Sequence, residues 1–194
     1  MKDLIFIFII GLFLTSCGSD NLSNSKAAKI IAKCLKENPK PGQELFKTGE
    51  VKFYYEKKDD SKKLAFLKKL VAKGYLKMDS VKASKRHKYT IYNVSFTDKS
   101  KDYVLESEGG GFGFDSFFSS SKNKSKTATV KTFDRSVDKV KEVHERPSFN
   151  AAEVTVIYKK QNKTPFFELS RDKTDFITKK VTFRKTSNGW QYCD

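Results

Sequence analysis

The chain has 194 residues, 39 Lys and Arg against 23 Asp and Glu, a formal charge of +16, and aromatic residues at 13%. That length buries a real core, and the aromatic content sets the chain apart from disordered sequences, which are poor in such residues. Two His, three Cys and one Trp leave little material for a metal cluster or a nucleophilic relay, so the composition describes a basic folded protein without the usual catalytic toolkit.

Met1-Lys2-Asp3 leads into an apolar run, Leu4 to Leu14, and then Thr15-Ser16-Cys17. A helix of that run rises about 16 Å, roughly half a hydrocarbon core, so it fits a secretory h-region better than a membrane span. Leu14-Thr15-Ser16-Cys17 resembles the lipobox of bacterial lipoproteins, in which a branched apolar residue and two small ones precede the cysteine. The resemblance implies that residues 1–16 are a signal peptide and that Cys17 is the lipid-attachment residue, thioether-linked to diacylglycerol and N-acylated. Two or three acyl chains anchor firmly where one is marginal. The alternative is an ordinary signal peptide in which Cys17 is incidental. Gly18 stands where some Gram-negative lipoproteins carry an inner-membrane retention Asp, which favours the outer membrane, and Ser19-Asp20-Asn21 loosely resembles the acidic export tags of surface lipoproteins. Removal of 1–16 takes away only Lys2 and Asp3, so the formal +16 stays with the exported body. Residues 17–25 read as a lipidated tether whose polar part, Asn21 to Ser25, is short enough to hold the body close to the membrane face.

Residues 26–105 form a helical subdomain in this reading. Ser25 to Asn38 places Ala27, Ala28, Ile30, Ile31, Cys34 and Leu35 at helical spacing, with lysines on the other side. Pro39 and Pro41-Gly42 end that helix, and Val51 to Tyr55 reads as a strand. A second helix carries the stripe Leu64, Phe66, Leu67, Leu70, Val71, with Asp60 or Ser61 as its cap and Gly74 at the left-handed C-terminal position. Tyr75 to Val81 and Tyr89 to Phe96 then form a β-hairpin around the basic turn 84–88, with Thr90, Tyr92, Val94 and Phe96 on one face and Tyr89, Ile91 and Asn93 on the other. Thr97 to Val104 reads as a capped turn or short helix. Leu64 to Leu76, the variable hairpin, Tyr89-Thr-Ile-Tyr92 and Thr97-Asp-Lys-Ser-Lys-Asp-Tyr103 together resemble a winged-helix module: a helix ending in Ala-x-Gly-Leu, a β-wing and a Leu-Thr-x-x-Gly turn. Ser100 departs from that pattern where Gly is usual, and no helix-turn-helix precedes the stripe.

Residues 106–126 form a Gly/Ser/Phe-rich loop. Its Phe112, Phe114, Phe117 and Phe118 are candidate membrane or partner contacts, the alternative being that they fold back on the sheet. Gly109 to Gly113 lacks the Gly-Lys-Ser/Thr ending of a phosphate-binding loop. Residues 127–194 form a β-rich subdomain with strands at Thr127–Phe133, Val137–Glu145, Ala151–Lys160, Phe176–Lys185 and Trp190–Cys193. Asn188-Gly189 is a hairpin turn signal, and Val181 to Lys185 with Asn188-Gly189-Trp190 resembles the last hairpin of many small exported α+β lipoproteins.

Lipidation of Cys17 leaves Cys34 and Cys193, and an exported compartment permits their pairing; the alternative is two buried thiols. A catalytic thiol needs a nearby His, and neither His87 nor His144 is linked to a cysteine by spacing. No carboxylate pair and no His/Asp/Glu cluster at metal-ligand spacing stands out, so the sequence supplies no cofactor and no support for catalysis. Lysine outnumbers arginine and is spread over the surface, which suits a solvated face or loose attraction to an anionic polymer or lipid headgroups more than base readout. The densest patch, Lys85, Arg86, His87 and Lys88 beside Tyr89, is the candidate anionic-ligand contact. Together these readings predict an α+β protein with a helical, winged-helix-like N-terminal half and an antiparallel, β-rich C-terminal half. The expected function is that of a membrane-anchored, non-enzymatic envelope binding or scaffolding protein. The alternatives are a small exported hydrolase and a module binding nucleic acid or another anionic polymer, with export arguing against a genomic target.

Overall fold

The computed structural model describes residues 21–107 and 125–193. Cys17 and the four phenylalanines of the 106–126 loop lie outside the described residues. The elements run α1 (Asn24–Glu37), β1 (Gly42–Tyr54), α2 (Lys58–Ala72), β2 (Leu76–Ser84), β3 (Tyr89–Phe96), a 3-10 turn (Asp98–Tyr103), β4 (Val104–Ser107), β5 (Lys126–Arg146), β6 (Ala151–Gln161), β7 (Phe176–Thr186) and β8 (Gly189–Gln191), with shorter 3-10 turns at Pro147–Phe149 and Phe167–Leu169. The protein is α+β, with an antiparallel sheet in the order β2-β3-β1-β5-β6-β7-β8 and β4 paired to β5.

Two strands tie the sheet into one body. β1 pairs with β5 along Gly42–Thr48 and with β3 along Gly49–Tyr54. β5 serves β1 and β4 with its first third and β6 from Asp134 to Arg146. The sequence reading divides this strand in two at residues 134–136. In the structure it is continuous, because the polar stretch there is where the chain passes from one half of the sheet to the other.

Each half of the sheet buries one face under one helix. α2 covers β1, β2 and β3 through Leu67 and Leu70, joined by Phe46, Phe53, Leu76, Val94, Phe96, Ala128 and Val130. Thr90, Val94 and Phe96 are buried and Asn93 is exposed, so the alternation expected for the second hairpin strand holds. Helix α2 begins at Lys58, earlier than an Asp60 or Ser61 cap would place it, because Asp60 is used elsewhere: its carboxylate accepts the Tyr54 backbone N–H at 3.0 Å, and with Asp59 it complements the helix dipole. The helix ends as expected at Gly74, whose φ of +76° suits a residue without Cβ; its N–H reaches Val71 O and that of Tyr75 reaches Leu70 O, the paired bonds of a Schellman cap.

Helix α1, grouped by sequence with the N-terminal subdomain, packs instead on the C-terminal sheet. Ala27, Ile31 and Cys34 lie one helical turn apart and are buried, and Ala27 and Ile31 join Val140, Val154, Val156, Tyr158 and Phe183 in one core. Cys34 and Cys193 form a disulfide, with Cα atoms 5.7 Å apart, that ties this helix to the end of the chain. The segment read as the polar part of the tether is already body: Leu22 is buried, Ser23 caps the helix by accepting the Lys26 N–H, and Leu22 with Ala27 makes the hydrophobic staple that fixes the entry of the chain.

The loop between β6 and β7 joins the two cores. Phe166, fully buried, leaves the C-terminal sheet and enters the N-terminal core, where it packs edge-on against Phe46 and Phe96 at 5.6 and 6.0 Å. Thr164 fixes the crossing by donating its N–H to Thr132 O and its hydroxyl to Lys131 O.

Candidate functional site

The turn after β2 places Lys85, Arg86, His87 and Lys88 together at an exposed hairpin end closed by the Ser84–Tyr89 pair. The His87 N–H donates to Ser84 Oγ, and Lys88 takes a left-handed φ of 52° while its carbonyl accepts the Tyr55 N–H at 2.9 Å. Lys88 is ion-paired with Glu56. Lys85 and Arg86 form no ion pair among the described residues.

Pairing of β1 with β3 sets Tyr54 opposite Tyr89 and adds residues that the sequence did not bring to this turn. The two rings meet edge to face at 6.0 Å, and His87 lies parallel to Tyr89 at 6.4 Å. Lys52 sits 4.4 Å from the Tyr89 ring centre and Lys57 4.6 Å from that of Tyr54. A lysine over a ring face is held by about 0.5–1 kcal/mol at an exposed site. The result is a surface where ammonium groups are placed by aromatic rings and are able to pair with anions. The strand reading of Val51 to Tyr55 is the only sequence signal for Lys52 and Tyr54.

The other candidate residues are dispersed. His144, its Nε2 2.8 Å from a Glu142 carboxylate oxygen, lies on the far half of β5 from His87. Among the described residues no group of three or more His, Cys, Asp and Glu side chains is placed to hold a metal ion, and no helix is long and apolar enough to cross a membrane.

A second feature was missed by sequence reasoning. Where β5 changes partners, a cavity of about 270 Å³ opens between the start of β1, the bend of β5, the end of β6 and the β6–β7 loop, lined among others by Thr132, Phe133, Arg135, Lys160, Ser170 and Asp172. Lys160 is buried to 2% exposure; its ammonium donates to the Asp172 carbonyl at 2.7 Å and pairs with the Asp172 carboxylate at 3.2 Å. Asp172 is held down to about 2, first by the Thr174 backbone N–H, then by the Thr174 hydroxyl and Lys160. Lys179 is pushed below the ordinary lysine range chiefly by the charge of Arg135. A lysine at a strand end followed by Gln161-Asn162-Lys163 looks solvated in sequence. Only the return of the 162–175 loop buries it.

No family model, no curated protein and no solved structure matches this chain.

Proposed function

We propose that this protein is a lipid-anchored, non-enzymatic binding protein of the bacterial envelope, held through Cys17 and presenting the hairpin end to an anionic envelope polymer. The observation that carries the binding part is the aromatic and cationic row Lys57, Tyr54, Lys52, Tyr89, His87, flanked by Lys85 and Arg86. The lipobox-like Leu14-Thr15-Ser16-Cys17 supports the anchor, and the Cys34–Cys193 bond is in keeping with an oxidising, exported compartment. Because Leu22 is already packed in the core, the chain from Cys17 spans at most about 18 Å, at roughly 3.5 Å per residue, before the body begins. The body then works at the membrane face, within reach of surface polymers.

The test is retention of the purified full chain on an immobilised sulfated polysaccharide across a salt gradient. Wild type is retained at low salt and released as salt rises, and Lys85→Ala/Arg86→Ala/Lys88→Ala and Tyr89→Ala each elute earlier. Absence of retention at low salt, or unchanged elution of both variants, refutes the reading.

The helix–hairpin order of α2, β2 and β3, with β1 beside β3, favours a second reading, the winged-helix-like module, in which the same turn touches a nucleic-acid backbone. Only α2 lies between β1 and β2, where that family has two helices. Salt-sensitive retention on duplex DNA, stronger than on the polysaccharide and lost with the triple variant, would select this reading.

A further inference from the structure

The cavity at the sheet junction has the composition of a ligand site. Among the described residues, three buried side-chain polar atoms have no hydrogen-bond partner: Thr132 Oγ1, Arg135 Nε and Ser170 Oγ. All three belong to residues that line this one cavity. Thr132 is fully buried and Ser170 is 5% exposed. Buried polar groups are nearly always satisfied, and leaving one unmade is costly, so three around one space need a common cause.

The backbone shows how they come together. Gly42 opposes Phe133 and Gln43 opposes Lys131, so Thr132 is the extra residue of a β-bulge with no partner across β1. A bulge turns a side chain out of the strand's alternation, and here Thr132 and Phe133 are both buried in succession. Gly42 is required opposite: a Cβ there would stand 2.2 Å from the Phe133 ring. From the other side, Thr164 bonded to Lys131 and Thr132, and Phe166 sunk in the N-terminal core, hold the loop that brings Ser170 and Arg171 over the cavity.

The charge balance favours an anion. Arg135, Lys160 and Arg171 face Glu44 and Asp172. Asp172 is already engaged by Lys160 and Thr174, which leaves the two guanidinium groups against Glu44 alone. Neither arginine forms an ion pair among the described residues. Lys160 is held by the Asp172 carbonyl and carboxylate with its ammonium 5.2 Å from the centre of the Phe133 ring that walls the cavity. An Arg N–H can only donate, and the Thr and Ser hydroxyls can donate too. Donors thus converge from three separate segments of chain, at β5, at the end of β6 and in the β6–β7 loop. Such a spread suits oxygens arranged in three dimensions better than the flat pair of a carboxylate. The volume lies just below the range of about 300–1,000 Å³ typical for drug-sized ligands, and Phe133 and Ile177 supply an apolar wall.

We infer that this cavity binds a small tetrahedral phosphoryl anion, as inorganic phosphate or as the head of a small phosphate ester, through Arg135, Thr132, Ser170 and Lys160. The site is independent of the hairpin end and of the polymer reading.

The experiment is calorimetric titration of the purified full chain with inorganic phosphate, with glycerol phosphate and with acetate at constant ionic strength, paired with melting curves of the ligand-free protein. Wild type gives a saturable isotherm with phosphate or the ester and none with acetate; whichever binds more tightly identifies the source of the phosphoryl group. Arg135→Gln weakens binding by at least about tenfold, the loss expected for a hydrogen bond to a charged group, and Arg146→Gln leaves it unchanged. Thr132→Val weakens binding too, yet raises the melting temperature without ligand, because it removes a buried hydroxyl that serves nothing else. That opposite movement separates a ligand donor from a structural one. Absence of a saturable isotherm with either phosphate, binding of acetate as tight, or an unaltered isotherm in Arg135→Gln overturns the inference. So does a Thr132→Val chain that melts lower without ligand, which would mark a hydroxyl held by internal water.

Discussion

Phe166→Ala is expected to be among the most damaging single truncations in the protein, although the residue belongs to a loop. Its ring is fully buried and meets Phe46, Phe96 and Tyr103 at 5.6, 6.0 and 6.2 Å. Truncating a buried Phe costs about 3–5 kcal/mol, and each aromatic pair contributes roughly 0.5–1.5 kcal/mol within such totals. A chain of this size loses about 2–4 °C of melting temperature per kcal/mol, so a drop of roughly 6–20 °C follows. The loss should also be local before it is global. Amide exchange should quicken in residues 162–175, whose main hold on the N-terminal core is this ring with Leu169 packed beside it, before it quickens in β6 and β7. Urea unfolding followed by circular dichroism measures the first effect and hydrogen exchange the second. A cost under about 0.5 kcal/mol, the level of an ordinary surface substitution, would mean that the loop is not anchored in the second core and would remove the roof of the cavity with it.

Gly42→Ala should lower stability by about 1–3 kcal/mol, the usual range for overpacking, because the new methyl group meets the Phe133 ring; a thermal melt reads it, and Gly42→Ala/Phe133→Leu should recover part of the loss. Reduction of Cys34–Cys193, separated by 159 residues, should cost at most about 5 kcal/mol on the chain-entropy account, seen as a lower urea midpoint with reductant and no such change in Cys34→Ala/Cys193→Ala. Asp172 is held at about 2 against its ordinary 3.8, so the stability it contributes is complete above about 3.8 and is lost as pH falls towards 2. Melting curves across that window should be flatter for Asp172→Asn than for wild type; identical slopes would count against the bonds from Thr174 and Lys160.

Local patterns were readable and long-range meetings were not. The α2 stripe, Gly74, the β2–β3 hairpin and the alternation of Tyr89 to Phe96 each depend on neighbours within a few turns of chain, and periodicity displays them. Helix α1 was legible as a helix, but its destination was not, because an apolar stripe does not say which sheet it will cover. The same limit hid the hairpin surface, since Tyr54 joins Tyr89 only through β1–β3 pairing across 35 residues. It hid the cavity more completely. Thr132, Arg135, Lys160 and Ser170 are unremarkable in sequence, and a one-residue bulge with a folded-back loop is what makes them neighbours. Residues 162–175 lack any period, and their role follows mainly from one phenylalanine that leaves its own half of the molecule.

Intact mass of the membrane-extracted protein, beside that of a Cys17→Ala variant, tests the proposed lipid anchor most directly. Expected is a chain beginning at Cys17 that carries acyl mass and two thiols masked until reduction, with the variant unlipidated and released from the membrane. A chain without acyl mass and with free thiols at Cys34 and Cys193 would contradict both the anchor and the exported, oxidising location.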